Sequence, residues 1–149
     1  MPWTRPVILP DVNILVYAHR RDMPDHAAYR DWLETQVNAD AAFGLSDLVV
    51  SSFIRVVTHP RVFRTPTALD DALAFAMQLR GQPNRISVAP GDRHWEIFSR
   101  LCTSSGAKGN LIPDAYFAAL AIEHGCEWIT ADRDYSRFQG LKWRHPLAA

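Results

Sequence analysis

The chain has 149 residues, the usual size of one domain, and 48% of them are apolar, which supplies one buried core. Sixteen basic residues balance 16 acidic ones to zero formal charge, so no bulk basic field marks a nucleic-acid binder, although local patches stay open. Cys102 and Cys126 lack zinc-site or disulfide-scaffold spacing and fit a reducing cytoplasm; Met1-Pro2-Trp3-Thr4-Arg5-Pro6 lacks a secretory apolar run; and the longest apolar stretch, Ala115 to Ile122, falls far short of the roughly 20 residues that span a bilayer.

Short apolar runs alternate with longer amphipathic segments. That pattern predicts an α/β fold, with a mainly parallel central sheet flanked by helices. No linker, repeat or low-complexity tract divides the sequence, so residues 1–149 read as one domain. Val7-Ile8-Leu9 reads as a buried first strand, followed by a helix from Asp11-Val12-Asn13 to about His19 or Arg20. His26 to Val37 is a second helix, and Ala41 to Gly44 a second strand. Ser46 is a candidate N-cap for a third helix that runs to Thr58 and stops before Pro60. On that helix Val49, Val50, Phe53, Ile54, Val56 and Val57 share one half of the surface. Asp47, Ser51, Arg55 and Thr58 form a narrow stripe on the other.

Thr67 to Arg80 reads as a fourth helix ended by Gly81, Ile86-Ser87-Val88 as a strand, and Arg93 to Ser104 as a further helix. Pro113 is placed to open a helix from Asp114 to His124. Glu127 to Thr130 reads as a strand, Asp132 to Phe138 as a turn or short helix, and Leu141-Lys142-Trp143 as an edge strand. Trp32, Phe75, Trp95 and Phe98 are expected in the core, with a groove for a partner's amphipathic helix as the alternative for some of them.

In open α/β sheets ligands gather beyond the carboxyl ends of the strands. Asp11 follows the first strand, Asp132 follows the strand ending at Thr130, and Asp134 is two residues on. Asp114 starts a helix, whose beginning lies on that same side. An acidic site is therefore expected there, without metal-binding His or Cys. Gathered carboxylates repel and resist desolvation unless cations or protons compensate. Hard oxygen donors select Mg²⁺ or Mn²⁺, which can polarise a phosphodiester and acidify a bound water. Taken singly, Asp114 also reads as a helix-start residue, Asp132 as a turn residue and Asn13 as a cap.

Four blocks carry a resemblance along nearly the whole chain. They are Val7-Ile8-Leu9-Pro10-Asp11-Val12-Asn13-Ile14-Leu15, the segment Phe53 to Phe63, Asn110-Leu111-Ile112-Pro113-Asp114-Ala115, and Ile129-Thr130-Ala131-Asp132-Arg133-Asp134-Tyr135. In order and spacing they resemble a PIN-domain ribonuclease, specifically a VapC-like toxin of a type II toxin–antitoxin system. The resemblance implies a metal-dependent endoribonuclease that leaves 5′-phosphate and 3′-hydroxyl ends. It implies Asp11, Asp114 and Asp132 as metal-binding carboxylates, Asp134 assisting through water, and Asn13 and Thr130 bracing the site. It also implies a tRNA or ribosomal RNA substrate, a cognate antitoxin and a homodimer.

One departure stands out. Most members of that family carry a Glu on the third helix, near Ser51 or Ser52 here, and this chain has none; Asp47, about one turn earlier, could stand in. Without it the alternative is a PIN-like module that binds RNA or a protein and cuts weakly or not at all. Phosphotransfer folds also place Asp at strand ends. They fit poorly, because a phosphatase of that kind expects Asp-x-Asp where this chain has Asp11-Val12-Asn13. Lys108 and Lys142 are the only lysines, so cationic contacts fall to arginine. Arg20, Arg21, Arg55, Arg61 and Arg64 could meet near the cleft and hold RNA phosphates, and Arg55 shares the Asp47 stripe.

Overall fold

Among the described residues five short strands, all parallel, form one sheet in the order β3-β2-β1-β4-β5. The computed structural model describes residues 5–148; Met1 to Thr4, which carry part of the leader-free reading, and Ala149 lie outside the described residues. In chain order the elements are β1 Ile8–Pro10, α1 Val12–His19, α2 His26–Val37, β2 Phe43–Leu45, α3 Asp47–Val57 and α4 Leu69–Arg80. Then come β3 Arg85–Ser87, α5 His94–Ser105, α6 Leu111–Glu123, β4 Glu127–Ile129, a 3₁₀ turn Arg133–Arg137 and β5 Trp143–Arg144. Among the described residues no helix is long and apolar enough to cross a membrane.

A parallel sheet is covered on both faces, which is why its inner strands read as unbroken apolar runs. Leu9, Phe43, Leu45, Trp128 and Ile129 are all fully or almost fully buried. Ser46 caps α3 as its sequence position suggests, its hydroxyl accepting from the Leu48 amide at 3.2 Å. Gly106 ends α5 with φ +64, a left-handed conformation that costs an L side chain and costs glycine little. The carboxylate of Glu123, at the end of α6, accepts from the Gly91 and Arg93 amides at 2.8 and 3.0 Å. It thereby ties α6 to the loop before α5.

Three expectations change. The helix carrying Asp114 begins at Leu111, so Pro113 is its third residue and Asp114 lies in the first turn rather than at its start. Proline is tolerated there because the first-turn N–H groups have no intrahelical partner. The fourth helix begins at Leu69, since the Thr67 amide donates instead to the Val57 carbonyl at 2.8 Å. Trp95 is 70% exposed, while Trp32, Phe75 and Phe98 are half-buried against the core. The buried line of α5 is His94, Ile97 and Leu101, and one residue beyond His94 turns the side chain about 100° toward solvent.

Trp128 is the keystone of the core. Its ring stacks on Phe117 with centroids 5.5 Å apart and meets Tyr135 at the same distance. Its Nε1 has no hydrogen-bond partner among the described residues. Trp128→Ala is therefore expected to destabilise by about 3–5 kcal/mol in a denaturant titration. Trp128→Phe, which keeps a ring and removes the unpaired N–H, should cost well under half of that. Equal losses in the two variants would show that the indole N–H does find a partner.

Candidate active site

The sheet order reverses direction at β1: the chain steps outward to β2 and β3, then returns to the other side of β1 as β4. The gap beyond the carboxyl ends of β1 and β4 is thus the switch point of the sheet, where neighbouring connections diverge and leave a crevice. Asp11 emerges from β1 at that point and Thr130 from β4. Both are buried, Asp11 at 5% exposure and Thr130 at 0%.

The Thr130 hydroxyl joins the two strand ends. It donates to Asp11 Oδ2 at 2.6 Å and accepts from Asn13 Nδ2 at 3.3 Å and from the Asp132 amide at 3.0 Å. One donor and two acceptor sites are the whole capacity of a hydroxyl, so Thr130 is fully used. The other Asp11 oxygen accepts from the Val12 amide at 2.6 Å and so caps α1. Asn13 completes the brace, its Oδ1 accepting from the Ala131 amide at 3.3 Å. Asp132 caps the 3₁₀ turn by accepting from the Asp134 amide at 2.9 Å. That turn presents Tyr135, whose hydroxyl donates to Asp114 Oδ1 at 3.2 Å.

Asp11, Asn13, Asp114, Asp132 and Tyr135 line one cleft of about 800 Å³. Burial pushes the Asp11 carboxyl up to about 7 against the lowering pull of its hydrogen bonds to Thr130 and Val12, with the Asp114 and Asp132 charges adding to the rise. Asp114 is raised too, again chiefly by desolvation, with Asp132 and Asp134 adding to the rise. The Tyr135 phenol is held firmly protonated by burial and by the carboxylates around it. Carboxylates gathered in a partly dry cleft are a donor set for a hard divalent cation. Among the described residues no three Asp, Glu, His or Cys groups are drawn together as a ready-made metal cluster. Oxygen donors without His or Cys fit a hard divalent cation such as Mg²⁺ or Mn²⁺.

The facing wall comes from α3, which contributes Leu48, Ser52, Arg55 and Val56. Asp47 is not on it. Its carboxylate is taken by Arg80 on α4, at 2.9 and 3.2 Å, so Asp47 does not fill the place of the absent Glu. Of the two serines, Ser51 turns back to the Leu48 carbonyl and Ser52 meets the cleft. Asp134 points outward, 3.7 Å from Arg137. Of the five arginines expected to converge, Arg55 alone lines this cleft, exposed and without an ion-pair partner among the described residues. Arg20 is locked elsewhere: it pairs with Asp22 at 2.6 Å, donates to the Thr65 carbonyl and lies 3.9 Å over the Phe63 ring. Arg21 lines a separate recess with His19 and Asp71. Tyr135 was missed as a site residue, although its spacing from Asp132, one 3₁₀ turn, is the signal that could have found it.

Residues 8–141 match the PIN domain. The chain is 48% identical over 137 residues to Ribonuclease VapC43 of Mycobacterium tuberculosis, covering 92% of this chain and 93% of that one. It is 39% identical over 140 residues to Ribonuclease VapC25 of the same species, covering 94% and 99%. The fold is similar to that of VapBC2 from Rickettsia felis, solved with a promoter DNA fragment, at TM-score 0.67 and 18% identity over 93% of this chain and 97% of that one. It is similar also to Mycobacterium tuberculosis VapC20, described as a sarcin–ricin loop cleaving toxin, at TM-score 0.60 and 15% identity over 91% and 98%.

The Thr130 hub yields a test. Thr130→Val removes the donor that lowers the Asp11 carboxyl, so its midpoint should move above 7 in a carboxyl-carbon NMR titration, while Thr130→Ser leaves it in place. The Val variant should also lose about 1–3 kcal/mol of stability from the stranded polar groups. An unmoved Asp11 midpoint in Thr130→Val would remove the hydroxyl from its assigned role.

Proposed function

The chain belongs to the PIN-domain family, with VapC proteins as its relatives, and from that premise we propose that it is a metal-dependent endoribonuclease acting as the toxin of a toxin–antitoxin pair. The observation that carries the proposal is the meeting of Asp11, Asp114 and Asp132 in one cleft at the switch point of the sheet. These three would hold Mg²⁺ or Mn²⁺. A bound ion there supplies neutralising charge for a phosphodiester and an acidified water.

The protein's own groups do the rest. Asp11 must lose its proton to serve, and the hydrogen bonds from Thr130 and the Val12 amide favour its charged form against the stronger pull of burial. Tyr135 keeps Asp114 turned into the cleft by donating to one oxygen and leaving the other free. Arg55, which lines the cleft from α3 without an ion-pair partner among the described residues, is placed to take an RNA phosphate. Products with 5′-phosphate and 3′-hydroxyl ends, from a tRNA or ribosomal RNA, follow from the family reading. So do a cognate antitoxin as partner, a second copy of the chain in a homodimer, and work in the cytoplasm.

A second reading has one observation in its favour: where the family carries a Glu on this helix, α3 presents the Ser52 hydroxyl to the cleft. On that reading the chain holds RNA without cutting it. The two part in one assay. A mixed tRNA and ribosomal RNA pool incubated with the protein should yield discrete fragments in Mn²⁺ or Mg²⁺ and none in EDTA or with Asp114→Asn. Intact RNA under every condition, beside an active control nuclease, would overturn the nuclease reading.

Proton and metal also compete for Asp11. The unfolded chain carries this group near 3.8 and the folded one near 7, so folding takes up a proton between those values. The stability Asp11 contributes is fully present below about pH 4 and is lost as pH rises through about 7. A divalent cation, binding the deprotonated form, should therefore raise the melting temperature more at pH 8 than at pH 5.5. An equal rise at both would separate cation binding from Asp11. Arg55→Ala should lower the slope of log affinity against log salt for RNA by about 1, measured by filter binding.

A further inference from the structure

We propose that the Tyr135 hydroxyl sets which divalent cation the cleft accepts, by holding one oxygen of Asp114 and so disfavouring Ca²⁺ against Mg²⁺ and Mn²⁺. The proposal rests on the metal reading of the site and gives it a specificity-determining residue.

Each of the three carboxylates has an oxygen already in use. Asp11 accepts from the Val12 amide on one oxygen and from the Thr130 hydroxyl on the other, both at 2.6 Å. Asp132 gives Oδ1 to the Asp134 amide at 2.9 Å, and Asp114 gives Oδ1 to the Tyr135 hydroxyl at 3.2 Å. Two of these donors are backbone amides at the starts of α1 and the 3₁₀ turn, and a third is the Thr130 hub. Tyr135 is the one donor that stands outside the brace of the strand ends.

Its ring is held where it is. Tyr135 is 2% exposed, with the Trp128 ring at 5.5 Å and the Phe138 ring at 5.8 Å. Among the described residues its hydroxyl bonds Asp114 and no other group. A cation that claimed both oxygens of Asp114 would strand that donor in a buried place, and a buried donor without a partner is costly.

Coordination number turns this constraint into selectivity. Ca²⁺ gathers about six to eight oxygens and readily takes both oxygens of a carboxylate. Mg²⁺ is smaller, demands a near-octahedral shell and keeps several waters, so single carboxylate oxygens suffice for it. Mn²⁺ accepts the same carboxylate and water oxygens. Carboxylates that each keep an oxygen back for the protein therefore suit the smaller ions. At Asp114 that restriction comes from one hydroxyl, which a substitution can remove without touching the frame.

The test is Mn²⁺ binding to the whole protein at pH 8 without RNA, with Mg²⁺ or Ca²⁺ as competitor. Binding is read from the loss of the free-ion electron paramagnetic resonance signal. With the native protein Mg²⁺ should displace Mn²⁺ at a roughly tenfold lower concentration than Ca²⁺ does. Tyr135→Phe keeps the ring against Trp128 and Phe138 and removes only the hydroxyl. It should let Ca²⁺ compete at a roughly tenfold lower concentration while the Mg²⁺ curve moves by less than about twofold. A role confined to supporting the fold would shift both competitors together.

Mg²⁺ and Ca²⁺ curves that move in step in Tyr135→Phe, or do not move, would overturn the proposal. So would a native protein that takes Ca²⁺ as readily as Mg²⁺, a result that depends on no variant. In both cases bound Mn²⁺ that Asp114→Asn releases leaves the metal reading standing. Mn²⁺ that the native protein never binds, or that Asp114→Asn binds unchanged, removes the metal reading and the role of Tyr135 together.

Discussion

Beside the backbone bond from the Asp11 amide to the Ile129 carbonyl, a side-chain hydrogen bond from the Thr130 hydroxyl to Asp11 ties the ends of β1 and β4 together at the place where the sheet changes direction. Everything in the cleft is arranged around it. Asn13 and the Asp132 amide fill the remaining capacity of the hydroxyl, Asp132 then caps the turn that delivers Tyr135, and Tyr135 orients Asp114. The bond is short and dry, and its acceptor is a carboxyl that burial pushes up to about 7. In such surroundings a hydrogen bond to the charged form is worth more than at the surface, and its loss leaves polar groups with no water to turn to. The frame of the site is thus supplied by the protein's own groups, while the Asp11 carboxyl gains its charge as pH rises through about 7.

The two walls of the cleft differ in kind. One is acidic and pinned through the backbone ends of β1 and β4. The other, from α3, carries one hydroxyl and one guanidinium where a further carboxylate could have stood. Three acidic groups rather than four lessen the mutual repulsion within the cleft, and they would leave more of a bound cation's coordination to water. Arg20, bound to Asp22 and Thr65 and laid over Phe63, fixes the apolar floor near that wall.

Much of this was legible in the sequence, and the limits are physical. The parallel sheet and the strand-end position of Asp11 and Asp132 follow from local signals: an apolar run, then an acid that can cap the following helix or turn. Asp114 was placed on the correct side of the sheet, although the helix starts a turn earlier than Pro113 suggested. Asp47 could not be judged from its own helix, because its direction is set by Arg80, 33 residues away. The same holds for Arg20, drawn to Thr65 and Thr67 at separations of 45 and 47 residues. The family resemblance put the α3 contribution near Ser51 or Ser52, and only the neighbouring elements separate them. Trp95 went to the core on hydrophobicity alone, when its phase relative to His94, Ile97 and Leu101 turns it outward.

The Thr130–Asp11 bond also joins residues 119 positions apart. Pairings of such separation close late, after most of the chain has collapsed and both partners exist. A ribosome making this protein therefore releases Asp11 early and holds it without its brace until Thr130 and Asp132 have been translated. Any stalled or truncated nascent chain lacks half of the acidic wall. The topology of the sheet thus makes the completion of the acidic wall one of the last events in the synthesis of the chain.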